Sequence, residues 1–263
     1  MLDISALNVV FNRGTVNEKQ VLDDVTMHLD KGDFVTIIGG NGAGKSTLLN
    51  CVSGSIRPTS GSISIDGKNI TNLPEHKRAA FLGRVFQDPL MGTAGDMWLE
   101  ENMAMAYRRD KRRTLAMGIK PKERAFYIEQ LKILDLGLET RLQTSVKLLS
   151  GGQRQALTLL MATMKNPKVL LLDEHTAALD PKTAAKVLKL SDKLISENNL
   201  TTLMVTHNMR DAIAHGNRLI MMQGGHIVLD IKGEQKRQLT VESLLDMFAK
   251  RSGTNEVSDK LVL

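Results

Sequence analysis

Nine consecutive residues near the N-terminus have the types and spacing that hold a phosphate group. The run is Gly39, Gly40, Asn41, Gly42, Ala43, Gly44, Lys45, Ser46 and Thr47, and its first eight residues match the pattern G-x-x-x-x-G-K-[ST] in full. Glycines let backbone N–H groups point inward at a phosphate, Lys45 supplies charge to the β- and γ-phosphates, and Ser46 offers a hydroxyl to Mg²⁺. A glycine-rich turn with a chance lysine is the alternative. The apolar strand pattern before the loop and the helix pattern after it favour the phosphate site.

An apolar run ending in two acids, Val169-Leu-Leu-Leu-Asp173-Glu174, is the second candidate. A buried strand would bring Asp173 to the carboxyl edge of a sheet, where its carboxylate can hold Mg²⁺. Glu174 would then face the γ-phosphate and polarise an attacking water. Alone, the run fits a core strand before a helix cap equally well. Combined with the phosphate loop, it predicts nucleotide hydrolysis.

A second helix start that suits an anion follows Leu149. Ser150 is a good N-cap residue, and the glycines after it expose backbone donors beside a helix N-terminus. The predicted anion-binding residues are Ser150, Gly151, Gly152 and Gln153. A capped helix without a ligand would explain Ser150, but not the glycine pair followed by Gln153.

The composition suits one large domain or two closely associated subdomains, with 263 residues of which 42% are hydrophobic and 24% charged. The net charge of +6 suits nucleotides, nucleic acid or an anionic membrane surface without choosing among them. Cys51 is the one cysteine, which excludes an internal disulfide framework, and its apolar neighbours predict a buried, inert thiol. We find no signal-peptide pattern at residues 1–10 and no apolar stretch of roughly 20 residues. We therefore expect a soluble chain whose membrane role, if any, requires a partner.

The elements that position these residues follow from the hydrophobic pattern. Residues 88–160 show Met and Leu at helical spacing and predict a mostly helical insert, and the polar tail beyond about 250 is expected to fray. Strands alternating with helices imply a largely parallel sheet covered on both faces. The predicted strands lie near residues 7–11, 21–29, 33–38, 62–65, 169–172, 201–205 and 218–222.

Together these residues resemble the ATP-binding cassette (ABC) ATPase family, whose signature is Leu-Ser-Gly-Gly-Gln. The resemblance spans about residues 2–248. It implies an α/β fold of the P-loop NTPase (RecA-like) type, with a mostly parallel sheet core, an antiparallel β subdomain and a helical subdomain. It also implies a single ABC ATPase domain over residues 1–263. Its expected parts are a core at about 1–87 and 161–248, a helical subdomain at about 88–160 and a polar tail at about 250–263.

The same resemblance gives roles to four more residues. Gln87 resembles the glutamine that contacts Mg²⁺ and the lytic water, Asp180 resembles the D-loop aspartate at the nucleotide, and His207 resembles the switch histidine at the γ-phosphate. Phe11 occupies the position of an aromatic residue that stacks on adenine, although a core position is the alternative. The implied catalytic residues are Glu174, His207, Lys45 and Gln87, and the implied metal ligands are Ser46, Gln87 and Asp173.

The resemblance further implies cofactors, partners and a location. The cofactors are ATP and Mg²⁺, with ATP held between the phosphate loop of one copy and the signature residues of a second copy in a head-to-tail dimer. The other partners are an integral-membrane permease and, indirectly, a substrate-binding protein, with no nucleic acid. The implied location is the cytoplasm, peripheral at the inner face of the cell membrane.

One departure narrows the resemblance. The family commonly continues Asp-Glu with Pro-Thr, whereas this chain has His175-Thr176; we expect the chemistry to survive because both acids are present. This substitution and the sequences at 83–93 and 203–209 are similar to those of a narrower group within the family. That group comprises importer ATPases encoded with a lipoprotein-type binding protein and a permease. Some of these are linked to aromatic amino acids.

The insert carries large apolar side chains and a basic cluster. We expect most of the apolar ones to be helical core; the alternative is that part of 90–102 lines a groove for a permease coupling helix. The cluster at 108–113 is expected to be a solvated loop, with contact to anionic lipid as the alternative. The apolar side chains are those of Met91, Met97, Trp98, Met103, Met105 and Tyr107.

The leading hypothesis is a transport ATPase, an importer with amino acids as the candidate substrate class. The alternative is a non-transport ABC ATPase such as a cluster-assembly ATPase. The single cassette argues against a translation factor, and the lack of sustained heptads argues against the DNA-repair relatives. A regulator that only binds nucleotide is disfavoured because Lys45, Asp173, Glu174 and His207 are all present. The transported substrate is not encoded in this chain.

Overall fold

The computed structural model describes residues 1–109 and 118–252. They form two compact units: one comprises Met1–Arg78 and the described residues from Asn199 onward, and the other comprises Ala79–Asn198. The predicted division into a core at about 1–87 and 161–248 and a helical subdomain at about 88–160 stays a prediction.

Strands and helices alternate along much of the described chain. The strands are β1 (Leu2–Phe11), β2 (Lys19–Leu29), β3 (Phe34–Ile38), β4 (Ser60–Ile65), β5 (Lys68–Asn69), β6 (Leu82–Val85), β7 (Val169–Asp173), β8 (Thr201–Val205), β9 (Arg218–Gln223) and β10 (His226–Lys232). The α-helices are α1 (Lys45–Ser53), α2 (Glu75–Arg78), α3 (Leu99–Tyr107), α4 (Pro121–Lys132), α5 (Gly151–Thr163), α6 (Pro181–Glu197), α7 (Met209–Ala214), α8 (Glu234–Arg237) and α9 (Val241–Ser252). Short 3-10 helices lie at Leu138–Thr140 and Val146–Leu148.

The first unit contains an antiparallel sheet in the order β2-β1-β4-β5. The turn between β4 and β5 is Asp66-Gly67, and both residues have positive φ, 50° and 74°. That conformation matches the twist of a two-residue hairpin, which is why an aspartate and a glycine occupy the turn. The predicted antiparallel β subdomain is therefore present.

The same unit contains strands in the order β10-β9-β3-β8. β3 runs parallel to both β8 and β9, and β10 is antiparallel to β9. Every residue of β3 and β8 is buried, as expected for parallel strands covered on both faces. Thr36 is the polar residue in β3, and its buried hydroxyl donates a hydrogen bond of 2.8 Å to the Ala212 carbonyl. These strands confirm the predicted α/β class.

In the second unit, β6 pairs with β7 in parallel, with Leu82 opposite Val169 and Val85 opposite Leu172. α5 packs closely on this pair, because a side chain at Gly83 would place its Cβ 2.6 Å from the Ala162 carbonyl oxygen. The helices of the insert surround a buried cluster of aromatic and aliphatic side chains. Its members include Leu99, Met103, Tyr127, Leu131, Leu138, Val146, Leu157 and Leu160.

The core expectation for the insert is wrong for most of its large apolar residues. Met103 is fully buried and Tyr107 is partly buried against the same cluster. Leu99, Met103 and Tyr107 are spaced by four, so they share the core-facing side of α3. The remaining four precede that helix or face away from its core side. Their exposed fractions are Met91 70%, Met97 37%, Trp98 45% and Met105 50%.

Two other expectations have clear outcomes. Cys51 is fully buried in α1, and burial raises the pKa of its thiol to about 12, as predicted for an inert cysteine. In the part of the chain that the structure describes, no helix is long and apolar enough to cross a membrane.

The basic cluster is described only in part. Arg108 pairs with Glu123 at 2.7 Å, and Arg109 donates to the Leu82 carbonyl at 2.9 Å. Residues 110–113 and the tail from 253 lie outside the described residues, so the solvated loop and the fraying tail stay predictions there.

Candidate nucleotide site

The phosphate loop occupies the turn between β3 and α1, as predicted. The Lys45 side chain is buried, and its ammonium donates hydrogen bonds to the carbonyls of Gly39 (2.7 Å) and Gly40 (3.1 Å). The loop therefore curls around its own lysine. This arrangement holds the positive charge of Lys45 against the backbone of the loop, as gripping a phosphate chain requires.

Two glycines in this loop are fixed by close backbone approach. A Cβ at Gly39 would lie 2.2 Å from the Met222 carbonyl oxygen, a distance that real Cβ atoms do not adopt. Gly44 has φ +99°, and a Cβ there would lie 2.9 Å from the Val21 carbonyl oxygen. Both positions require glycine for steric reasons.

The remaining residues of the loop differ in their exposure to solvent. Ala43 is buried, Thr47 is half-buried, and Asn41, Gly42 and Ser46 are exposed. The loop therefore presents its exposed backbone and the Ser46 hydroxyl to solvent at the start of α1.

His207 lies two residues beyond β8 in the same unit, and its side chain is exposed. Asp211 in α7 is close enough to interact with it electrostatically. Burial raises the pKa of Asp211, while the nearby His215 and His207 act in the opposite direction. The exposed histidine thus has an acidic residue nearby.

Phe11 is the last residue of β1 and is 37% exposed. The core alternative for this residue is therefore wrong. An exposed aromatic ring is available for stacking, and its role at adenine stays a prediction.

In the second unit, β7 ends at Asp173, as predicted, and the chain turns at Glu174. Glu174 has φ +45°, a left-handed conformation that is uncommon for residues other than glycine. Such strain occurs often at functional positions. The turn is closed by a hydrogen bond of 3.0 Å from the Ala177 N–H to the Glu174 carbonyl.

His175, the departure from the family pattern, is 2% exposed and contacts α6. Its Nε2 lies 3.0 Å from the Ser191 hydroxyl oxygen, and that hydroxyl donates to the Val187 carbonyl at 2.9 Å. Because the single hydroxyl proton is used by Val187, Nε2 carries the proton and donates to Ser191. The imidazole therefore fastens the residue after Glu174 to α6, where a proline would have restricted the backbone instead.

The signature residues begin α5, with Ser150 as N-cap. The Ser150 hydroxyl accepts from the Gln153 N–H (3.2 Å), and the Gln153 side chain accepts from the Ser150 N–H (3.1 Å). This is a capping box. The capped-helix explanation therefore accounts for Gln153 as well as Ser150, contrary to our expectation.

The signature glycines also have a packing role. A Cβ at Gly152 would lie 2.2 Å from Cγ2 of Thr183, in the first turn of α6. Asp180 caps that helix, accepting a hydrogen bond of 3.0 Å from the Thr183 N–H. Hydrogen bonds from Thr183 hold the pKa of Asp180 below its ordinary value. The α5 and α6 starts are thus packed together, and both Ser150 and Asp180 are exposed.

Gln87 lies just beyond β6 and is exposed. The loop that carries it is tied to α5, because the buried Gln155 side chain donates to the Phe86 carbonyl at 3.2 Å. Sequence reasoning missed Gln155 and also missed Arg84, whose Nη2 lies 3.3 Å from the Asp173 carboxylate. Their signals were weak, since each is a single polar residue inside an apolar stretch.

The predicted metal donors suit Mg²⁺ in their chemistry. They are a hydroxyl (Ser46), an amide oxygen (Gln87) and a carboxylate (Asp173), and Mg²⁺ prefers oxygen ligands. Within residues 1–109 and 118–252, the side chains of Ser46 and Gln87 make no hydrogen bond to protein. Two oxygen donors are therefore available for a ligand.

Comparison with known proteins decides the family. A family model described as ABC transporter matches residues 22–177. The chain belongs to the ABC transporter family. A tyrosine transport ATP-binding protein of Clostridioides difficile (strain R20291) is 46% identical over 248 residues, covering 94% of this chain and 98% of that protein. A methionine import ATP-binding protein, MetN, of Streptococcus pneumoniae (strain ATCC BAA-255 / R6) is 33% identical over 251 residues, covering 90% and 67%.

Solved structures agree with this assignment. A dimeric ATP-binding cassette in a post-hydrolysis state, bound to ADP and Pi, superposes with a TM-score of 0.75 at 29% identity. The match covers 88% of this chain and 98% of that chain. The protein is thus an ATP-binding subunit of an ABC transporter, and it is an ATPase.

The steric role of Gly39 gives a direct test of the loop. Gly39→Ala should weaken ATP binding about five- to 150-fold. The added Cβ would displace the loop backbone, and overpacking of this kind costs about 1–3 kcal/mol. Gly40→Ala is the matched control, since no atom lies within 4 Å of a Cβ at Gly40. Titration calorimetry measures both affinities, and a Gly39→Ala variant that binds ATP as tightly as Gly40→Ala would show that the loop does not need this backbone approach.

Proposed function

We propose that this chain drives import of an amino acid through a membrane permease, by binding and hydrolysing ATP between two copies of itself. The names of the relatives support the substrate class, since one is a tyrosine transport protein and another a methionine import protein. The proposal includes a peripheral position on the cytoplasmic face of the membrane and an indirect partnership with a substrate-binding protein.

The observation that carries the proposal is the electrostatic character of two helix starts. A helix N-terminus has a partial positive charge, and an acidic residue in its first turn cancels part of it. Among the described helices of eight or more residues, α1 and α5 have neither an acidic N-cap nor an acid in the first turn. The helices α3, α4 and α9 carry Glu100, Glu123 and Glu242 there, and α6 is capped by Asp180.

Two such starts in one chain fit two halves of a shared site. We propose that the triphosphate is held by Lys45 and the first turn of α1 in one copy, and by residues 150–153 of the other. The dimeric state of the cassette bound to ADP and Pi supports this arrangement. The aromatic ring of Phe11 would stack on adenine, and Asp180 would lie beside the nucleotide.

The chemistry is assigned to four side chains. Glu174 would orient and deprotonate the attacking water, Gln87 would help to position it, and Lys45 and His207 would stabilise charge on the transferring phosphoryl group. Ser46, Gln87 and Asp173 would hold Mg²⁺, which neutralises phosphate charge when bound. Closing the dimer would exclude water and strengthen each of these interactions. Loss of the γ-phosphate would then let the dimer reopen.

The role of Glu174 predicts a trapped state. Glu174→Gln should still bind ATP, should form an ATP-dependent dimer in size-exclusion chromatography with light scattering, and should hydrolyse ATP at least about 100-fold more slowly. Glu197→Gln, at the end of α6, removes an exposed carboxylate of the same type and is the control. If Glu174→Gln turns over ATP at the parental rate, the general-base assignment is wrong.

The permease partner is assigned to a groove in the second unit. Its cavity of about 360 Å³ is lined by Met91, Met105 and Asn102 among others. Both methionines are at least half exposed, and flexible thioethers suit the repacking that a docking helix requires. We propose that a cytoplasmic helix of the permease occupies this groove.

Cysteine crosslinking tests the docking proposal. Cys51 is buried with a raised pKa, so a cysteine introduced at Met91 should be the reactive one in the native protein. Met91→Cys should form a permease adduct when it is expressed together with the proposed permease partner, whereas Val16→Cys, fully exposed in the first unit, should not. Equal labelling of both positions, or none at Met91, would refute docking in this groove.

A further inference from the structure

Arg84 in β6 is placed between the predicted magnesium carboxylate and the groove. Its Nη2 lies 3.3 Å from Oδ2 of Asp173, with side chains that are 13% and 15% exposed. Its guanidinium carbon lies 4.5 Å from the centre of the Phe86 ring. Arg84 also lines the same cavity as Met91 and Met105. One side chain therefore contacts Asp173 and forms part of the groove wall.

The ion pair between Arg84 and Asp173 is longer than the one between Arg124 and Glu100 in the same unit. Arg124 grips the buried Glu100 through two hydrogen bonds of 2.7 and 2.9 Å. Charge-assisted bonds of that length and number hold a fixed geometry. At 3.3 Å the contact from Arg84 to Asp173 is looser than those bonds, so we expect the guanidinium to be more easily exchanged for another cation at Asp173.

We propose that Arg84 is a shared cation, which neutralises Asp173 in the isolated chain, competes there with Mg²⁺, and is released by an acidic group bound in the groove. The physical basis is charge balance. An arginine stays protonated at all physiological pH values, so a divalent ion that approaches the same carboxylate meets a fixed positive neighbour. The groove is also lined by Arg109, so its charge is complementary to an acidic side chain of an occupant.

This inference rests on the proposed metal role of Asp173 and extends it to regulation. With the groove empty, Arg84 would weaken the hold of Asp173 on the metal. With an acidic group in the groove, Arg84 would turn to it, and Asp173 would be available. Arg84 is a positioning residue in this account, because it acts through Asp173.

The test measures ATP affinity against Mg²⁺ concentration in the Glu174→Gln background, which does not require turnover. Arg84→Gln should lower the Mg²⁺ concentration for half-maximal ATP binding about three- to tenfold, because a positive charge near the metal is removed. Arg84→Lys keeps the charge and should behave like the parent, as should Arg141→Gln, which removes an exposed cation elsewhere in the unit. An unchanged or increased Mg²⁺ requirement in Arg84→Gln would overturn the proposal.

A second variant separates this inference from the metal assignment on which it rests. Asp173→Asn should abolish the effect of Mg²⁺ on ATP affinity. If Asp173→Asn responds to Mg²⁺ like the parent, the metal role of Asp173 fails. If Asp173→Asn loses the response while Arg84→Gln shows no change, only the shared-cation proposal fails.

The access of Arg84 from the groove is tested with a fixed acid. Met105→Glu places a carboxylate on the groove wall and should lower the Mg²⁺ requirement in the same direction as Arg84→Gln, with Met105→Gln as the neutral control. The effect should vanish when Met105→Glu is combined with Arg84→Gln. A Met105→Glu effect that persists without Arg84, or no effect with Arg84 present, would overturn the link to the groove.

Discussion

The N-terminal turn of an α-helix has backbone N–H groups without partners inside the helix, and this shortage underlies both anion sites that we propose in the chain. At α1 the loop before the helix wraps around Lys45. At α5 the capping box satisfies some of the backbone donors, and the two glycines add no side chains to the first turn. The absence of acids at both starts preserves their positive potential. The catalytic roles that we propose depend on a phosphate placed there.

Much of the fold was predictable because its signals are local. The strand before Gly39 is apolar except for Thr36, and the strand that ends at Asp173 is apolar up to that residue. The glycines at 39 and 44 mark backbone positions that a side chain would block. The hairpin turn at Asp66-Gly67 follows from the positive φ that such a turn demands. In each case residue type and backbone requirement coincide within a few positions.

The rest depended on contacts between residues distant in sequence. β6 was missed because Gly83 and Arg84 interrupt its short apolar pattern; Gly83 is required by the approach of α5, and Arg84 is paired with Asp173 in the adjacent strand. The exposed side of α3 was mistaken for core because a methionine at helical spacing does not show which side has a partner. The capping role of Gln153 was missed because a glutamine three residues after a serine fits both a capping box and an anion-binding helix start.

The central claim is that the two helix starts of different copies share one triphosphate. A structure of the Glu174→Gln protein with ATP and Mg²⁺ tests it most directly. The account predicts backbone donors of residues 150–153 from one copy within hydrogen-bond distance of the phosphates that contact Lys45 of the other. A nucleotide-loaded structure in which residues 150–153 of every copy face solvent, with no phosphate against them, would contradict it.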